Sequence, residues 1–196
     1  MTTQQLPPGA SLHLDIITPE IESAILTELN QQPWSDALRR RTQHYGYTYD
    51  YTTRALNGEA QQTTPLSGWI LRLAEHFRDS DVFGKNPNGT NVIPTQCIVN
   101  EYTRNQGINS HTDAAIFGPT IVSVSLGDPT VMIFMRGEKT IPIYLPPRSA
   151  LILTGDSRYY WKHEIPARVT YELPDGRKIT KPANYRRVSL TYRTLA

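Results

Sequence analysis

The sequence predicts a mainly β fold, a β-sandwich or jelly roll, with N-terminal helices packed on it. Three observations lead there. Helical periodicity is confined to residues 18–79. From residue 92 onward, short runs rich in β-branched and aromatic residues recur between turn residues. The composition agrees: 11 Tyr, 15 Pro and 12 Gly stand beside a hydrophobic share of only 38%, the mix of a β-rich chain with many turns. A chain of 196 residues buries a real core as one domain without disulfides. We therefore read 1–196 as a single domain, with a tail at 1–10, a helical and lid region at 11–91 and a jelly-roll core at 92–196.

Residues 1–10 are polar and Pro-rich and read as a loose tail. Thr18-Pro19-Glu20 opens the first helix. Thr18 is suited to cap free N–H groups, and Pro19 carries a φ already right for a first turn. Ile21, Ile25, Leu26 and Leu29 follow at helical spacing, and Pro33 limits the run. A second helix is expected over Gly68 to Asp79, where Ile70, Leu73, Ala74 and Phe77 share a face and His76 falls outside it. Between the helices, Tyr45, Tyr47, Tyr49 and Tyr51 alternate, so an extended segment would carry them on one face. Strands are expected at 95–103, 119–126, 130–136, 140–145, 149–154, 167–172, 177–181 and 186–194. Arg136-Gly137-Glu138-Lys139 and Pro174-Asp175-Gly176 read as turns between paired strands.

The formal charge is +2, from 20 Lys and Arg against 18 Asp and Glu. That balance gives no strong nucleic-acid footprint. Basic residues do cluster locally, at Arg39-Arg40-Arg41 and Arg186-Arg187. Cys97 is the only cysteine, which excludes an intramolecular disulfide and suits a reducing compartment. Residues 1–10 show no signal pattern, and no apolar run approaches the roughly 18 residues that span a bilayer. The expected location is cytoplasmic, or nuclear in a eukaryote, with no membrane partner.

Chemistry concentrates in four places. In an extended strand, His111 and Asp113 point the same way and can meet one metal ion. Two imidazoles and one carboxylate on one side of an ion leave open positions opposite, the ligand set of non-haem Fe(II) oxygenases; zinc accepts the same donors. His163 is the only histidine after Asp113. Asn100 and Tyr102 share a strand face and offer hydrogen bonds to an acidic ligand. In Arg187 to Arg193, positions 187, 189, 191 and 193 are polar while 188, 190 and 192 are apolar. This strand either turns its polar face to water or directs two guanidinium groups at opposite ends of a small dicarboxylate.

The order of these pieces resembles the AlkB family of Fe(II)/2-oxoglutarate-dependent dioxygenases. Asn-x-Tyr, His-x-Asp, the later His and the arginine pair all fall within residues 100–193. Gln106-Gly107-Ile108, Ile121 to Gly127 and Leu153 to Tyr159 are also similar to family segments. The resemblance runs from about Arg41 to Thr194 and implies a double-stranded β-helix, a jelly roll with iron in its mouth. It implies that His111, Asp113 and His163 are the catalytic iron ligands. It implies that Asn100, Tyr102, Arg187 and Arg193 bind 2-oxoglutarate, with Arg187 on the far carboxylate and Ser189 as a further contact. Tyr47 and Tyr49 resemble a nucleotide-recognition lid on which a flipped base stacks; core packing is the other reading of these tyrosines.

The implied reaction joins decarboxylation of 2-oxoglutarate to hydroxylation of a substrate carbon, using dioxygen. An N-methyl group so oxidised leaves as formaldehyde, whereas another carbon keeps its hydroxyl. Two departures weaken a DNA-repair role: Ala115 stands where repair members carry an acid, and Arg39–Arg41 where they carry a lid aromatic. Glu164 stands where many members have Gly. The segments 44–51 and 148–163, which include Arg158, are closer to members that hydroxylate wobble uridines in tRNA, so Arg158 is expected on the substrate side with the tyrosines. Oxidation of a nucleobase in DNA or RNA is thus the leading expectation. An oxygenase of protein side chains or small molecules is the alternative. A non-catalytic jelly-roll binding module is the reading from another class, opposed by the intact triad and arginine pair.

Overall fold

The computed structural model of the chain describes residues 4–47, 49–50, 55–56, 62–173 and 175–196; at 49–50, 55–56 and 62–63 only the backbone is described. The elements run β1 (Ala10–His13), α1 (Pro19–Asn30), β2 (Arg41–Tyr47), β3 (Tyr49–Asp50), β4 (Ala55–Leu56), β5 (Gln62–Thr64), α2 (Gly68–Asp79), β6 (Gln96–Thr103) and β7 (Ile108–His111). They continue with β8 (Phe117–Gly127), β9 (Thr130–Arg136), β10 (Lys139–Leu145), β11 (Ser149–Leu153), α3 (Gly155–Tyr159), β12 (Lys162–Ile165), β13 (Thr170–Glu172), β14 (Lys178–Thr180) and β15 (Arg186–Leu195).

Both expected helices form where the periodicity places them. Thr18 Oγ1 accepts the Ile21 N–H at 3.3 Å. The start of α2 lacks a side-chain cap of its own; Glu28 of α1 supplies one, its carboxylate accepting the Trp69 N–H at 3.1 and 3.2 Å. An acid at that end also complements the helix dipole, so one residue ties the two helices together.

The strands build a seven-stranded sheet in the order β1-β11-β8-β15-β6-β2-β5 and a four-stranded sheet in the order β10-β9-β12-β7. Side-chain alternation divides the larger sheet into two faces. Cys97 and Val99 of β6, Val122 and Val124 of β8, and Val188, Leu190 and Tyr192 of β15 turn outward and pack with Ile25, Leu29, Leu73 and Phe77 of the helices. Tyr192 Oη fixes this contact by donating to the Ile70 carbonyl at 3.0 Å. On the inner face, Tyr102, Ile121, Leu151 and Leu153 meet Met132, Phe134, Ile143 and Leu145 of the smaller sheet. The fold is the jelly roll the sequence predicts.

That division settles the polar row of β15. It faces the interior between the sheets, leaving Arg187 1% and Arg193 9% exposed. A solvated amphipathic strand is excluded.

Two expectations need correction. The tail at 1–10 is not loose where it is described. The Gln4 amide exchanges hydrogen bonds with the Tyr144 backbone at 3.0 and 2.6 Å, Thr154 N–H donates to the Gly9 carbonyl at 2.9 Å, and β1 pairs with β11. Without β1, β11 would present an unpaired strand edge. Nor does the regular alternation expected for the tyrosines hold through Tyr45 and Tyr47. Tyr45 lies in the helix-side core. Gly46 then takes φ +82° against the Thr95 carbonyl, where a Cβ would collide, and the register with β5 shifts between Gly46 and Tyr47.

Candidate active site

β7 and β12 pair antiparallel with His111 directly opposite His163. Their ring centroids lie 4.4 Å apart, and Phe134 supports the His163 ring at 5.5 Å. His111 Nδ1 donates to the Asn109 carbonyl at 2.8 Å. That bond fixes the tautomer and leaves Nε2 as the free donor atom. Asp113 lies beyond the end of β7, with Oδ2 3.7 Å from His163 Nε2. Its other oxygen accepts from Arg193 Nε at 2.9 Å. The three side chains share one face, but the carboxylate turns toward Arg193 and they do not close on one point.

Burial pushes the Asp113 carboxyl up, yet the charge of Arg193, aided by the two histidines, outweighs it and holds the group below the usual carboxylate range. Burial lowers the His163 imidazole to about 4, against the pull of Asp113. An ionised carboxylate and a neutral imidazole are the forms that ligate metals. The donor set therefore suits a divalent ion such as Fe(II).

Beside it lies a cationic pocket on the inner sheet face. Arg187 Nη2 donates to Ser125 Oγ at 3.0 Å, and its guanidinium stands 5.3 Å from the Tyr102 ring centroid. Among the described residues, its Nε and Nη1, and Nη1 of Arg193, are buried without hydrogen-bond partners. Buried donors of this kind cost stability unless a ligand accepts from them. Asn100 and Ser189 are cross-strand neighbours in the same pocket and both are buried. A small diacid fits these donors. Arg193, expected to bind the diacid together with Arg187, has Nε and Nη2 on Asp113 and Nη1 left for a ligand.

Arg158 is placed differently from the expectation. It is 2% exposed and donates to four backbone carbonyls: Asp113 at 2.9 Å, Ala114 at 2.8 Å, Phe117 at 3.0 Å and Gly118 at 3.2 Å. Its N–H groups hold the loop that carries the carboxylate. Two arginines of the basic run are likewise engaged within the protein, while Arg39 is exposed. Arg40 donates to Asn100 Oδ1 at 2.8 Å, and Arg41 pairs with Glu101 at 2.6 Å while stacking on Trp34. Tyr47 ends β2, half-buried, with its carbonyl held by Gln96 at 2.9 Å. The Tyr49 and Tyr51 side chains lie outside the described residues.

Residues that the sequence did not single out also reach the pocket. By alternation, Thr42 and His44 of β2 share the face of Asn100 and Ile98, with which they pair. Burial, then the charges of Arg193 and Arg40, lower His44 to about 4. Ser125 had a visible sign, as one of two serines alternating with apolar residues in β8.

The family profile of the 2OG-Fe(II) oxygenase superfamily matches residues 21–193, and the chain belongs to that superfamily. It is a 2-oxoglutarate-dependent dioxygenase of the AlkB type, using Fe(II) and 2-oxoglutarate. It is 32% identical to the uncharacterized protein L905 of Acanthamoeba polyphaga mimivirus, over 95% of this chain and 85% of that protein. It is 33% identical to the tRNA (carboxymethyluridine(34)-5-O)-methyltransferase ALKBH8 of Macaca fascicularis, over 84% of this chain but 25% of that protein. It is 31% identical to the alkylated DNA repair protein ALKBH8 homolog of Arabidopsis thaliana, over 95% of this chain and 58% of that protein. The solved structure of OsALKBH1 superposes with a TM-score of 0.71 at 19% identity, covering 97% and 99% of the two chains. That last likeness speaks for the fold. No described helix is long and apolar enough to cross a membrane.

Proposed function

We propose that this dioxygenase oxidises a nucleobase, by hydroxylation or oxidative demethylation, with His111, Asp113 and His163 holding Fe(II) and with Arg187, Asn100, Tyr102, Ser189 and Arg193 Nη1 holding 2-oxoglutarate. The observation that carries the site is the buried set of unpartnered arginine N–H groups beside the two imidazoles and the carboxylate. The substrate class rests on the similarity to ALKBH8 proteins over more than four-fifths of this chain.

When bound, Fe(II) and 2-oxoglutarate together with dioxygen supply oxidation of an unactivated C–H bond, releasing succinate and carbon dioxide. The chain's own residues prepare for it. The Asn109 carbonyl orients His111, and Arg193 keeps Asp113 ionised and in place. Arg158 fixes the loop behind the carboxylate. The enclosed inner sheet face keeps water from the arginines, so their attraction for a carboxylate is strong. Tyr47, at the end of β2, stands as the stacking surface for a base.

The test is incubation of pure protein, Fe(II) and 2-oxoglutarate with alkylated DNA, alkylated RNA and total tRNA, read by nucleoside mass spectrometry. The expected result is a new or lost modified nucleoside that depends on 2-oxoglutarate. The engagement of Arg40 and Arg41 within the protein favours a second reading, oxidation of a protein side chain or small molecule. Every nucleoside unchanged, with succinate formation stimulated by a protein or small-molecule substrate above the uncoupled rate, would select that reading.

A further inference from the structure

Lys181 follows β14, and both of its backbone groups are fixed. Its N–H donates to the Val169 carbonyl at 2.8 Å, and its carbonyl accepts from Arg104 Nε at 3.0 Å. The side chain points inward. Lys181 is 2% exposed, a rare state for an ammonium without an anionic partner. Its Nζ lies 4.6 Å from the Tyr185 ring centroid, and no hydrogen-bond acceptor reaches it among the described residues.

The same corner holds Arg187. Among the described residues its Nε and Nη1 have no hydrogen-bond partners either, and it is 1% exposed. Tyr185 stands beside both cations, with its hydroxyl on the Pro129 carbonyl at 3.1 Å. Burial, and then the charge of Arg187, lower the Lys181 ammonium. Among the described residues neither cation joins an ion pair. Two adjacent buried cations repel each other and forgo hydration, so the ligand-free pocket carries an electrostatic cost that an entering anion relieves. Stacking on Tyr185 offsets part of it for Lys181 but accepts none of its three N–H donors.

We propose that Lys181 is a second cation for the far carboxylate of 2-oxoglutarate, acting beside Arg187 and selecting a diacid over a 2-oxo monoacid. This rests on the reading of Arg187 as the anchor of that carboxylate.

The test is calorimetry on Co(II)-loaded wild type, Lys181→Met and Lys181→Arg, with 2-oxoglutarate and with 2-oxovalerate, which lacks the far carboxylate. Lys181→Met is expected to weaken 2-oxoglutarate about tenfold or more, a loss of about 1.4 kcal/mol per tenfold. Its affinity for 2-oxovalerate is expected to stay at the wild-type value. Lys181→Arg is expected to keep 2-oxoglutarate within about threefold. Ligand-free Lys181→Met should melt no lower than wild type, since it removes an unpaired buried charge. Unchanged 2-oxoglutarate affinity in a folded Lys181→Met protein would overturn the proposal and leave Lys181 as packing for Tyr185. If Lys181→Met does not fold, Lys181→Gln against Lys181→Arg reads the same charge, and equal affinities overturn it. Wild type that fails to bind 2-oxoglutarate would instead count against the pocket as a whole.

Discussion

Replacing Arg158 with Met separates a positioning role from a substrate role. Methionine keeps much of the apolar stem and removes the guanidinium. Four carbonyls, those of Asp113, Ala114, Phe117 and Gly118, then lose their donors. Each unsatisfied buried acceptor costs about 1–3 kcal/mol. Against that stands relief from burying a guanidinium with no carboxylate in contact, a burial that lowers the pKa of Arg158. The unsatisfied acceptors outweigh that relief, and we take a net loss of about 3–5 kcal/mol, the cost of two or three such acceptors. At roughly 2–4 °C per kcal/mol for a domain of this size, the melting point should fall by about 6–20 °C. Urea unfolding should show a lower midpoint with unchanged slope. Co(II) affinity should fall as well, because the Asp113 carbonyl is itself one of the anchored groups. A variant with unchanged midpoint and metal affinity but a raised substrate KM would refute this reasoning and return Arg158 to the substrate side.

Three other outcomes follow from the site. Arg187→Ala should weaken 2-oxoglutarate binding by at least about a hundredfold, since it removes the partner of a buried carboxylate; calorimetry with unchanged affinity would place that carboxylate elsewhere. The metal-free protein should lose stability as pH falls from 6.5 toward 4. His44, lowered to about 4 by burial and by Arg193 and Arg40, and His163, lowered to about 4 by burial, take up their protons in the unfolded chain first, so a contribution on the order of 3 kcal/mol from each is present above that window and lost within it. His44→Gln should remove about half of the loss, and an equally steep profile would contradict the assignment. Tyr47→Ala should cut nucleobase turnover while sparing uncoupled 2-oxoglutarate decarboxylation, because a lost stack costs about 1–3 kcal/mol at the base alone; equal loss of both activities would make Tyr47 a packing residue.

The parts of this fold that could be read in the sequence are those with a strict period. β15 shows its two faces at every second residue, and α2 shows its buried stripe at Ile70, Leu73, Ala74 and Phe77. Elements without room for a period escaped. β7 and β12, which carry the two histidines, have four residues each, too few for alternation to stand out. The helix α3 has five residues. Long-range pairing escaped too: Gln4 meets Tyr144 across most of the chain, and no local pattern encodes that meeting. Charge was the least legible property. Arg158, Arg40 and Arg41 read as substrate-side or clustered surface cations, and each is instead held by protein groups, while the buried Lys181 left no sign in the sequence. Such burial depends on carbonyls and carboxylates brought in by distant strands, as Glu101 shows by holding both Arg41 and Arg186.

The central claim is that His111, Asp113 and His163 form the iron site of a working 2-oxoglutarate oxygenase. The most direct measurement is succinate formed from 2-oxoglutarate by protein reconstituted with Fe(II), compared between wild type and Asp113→Ala. Wild type should form succinate only with iron and dioxygen. Asp113→Ala should fold but form none, and it should fail to bind Co(II) at the wild-type affinity. Full succinate formation by folded Asp113→Ala protein would contradict the account.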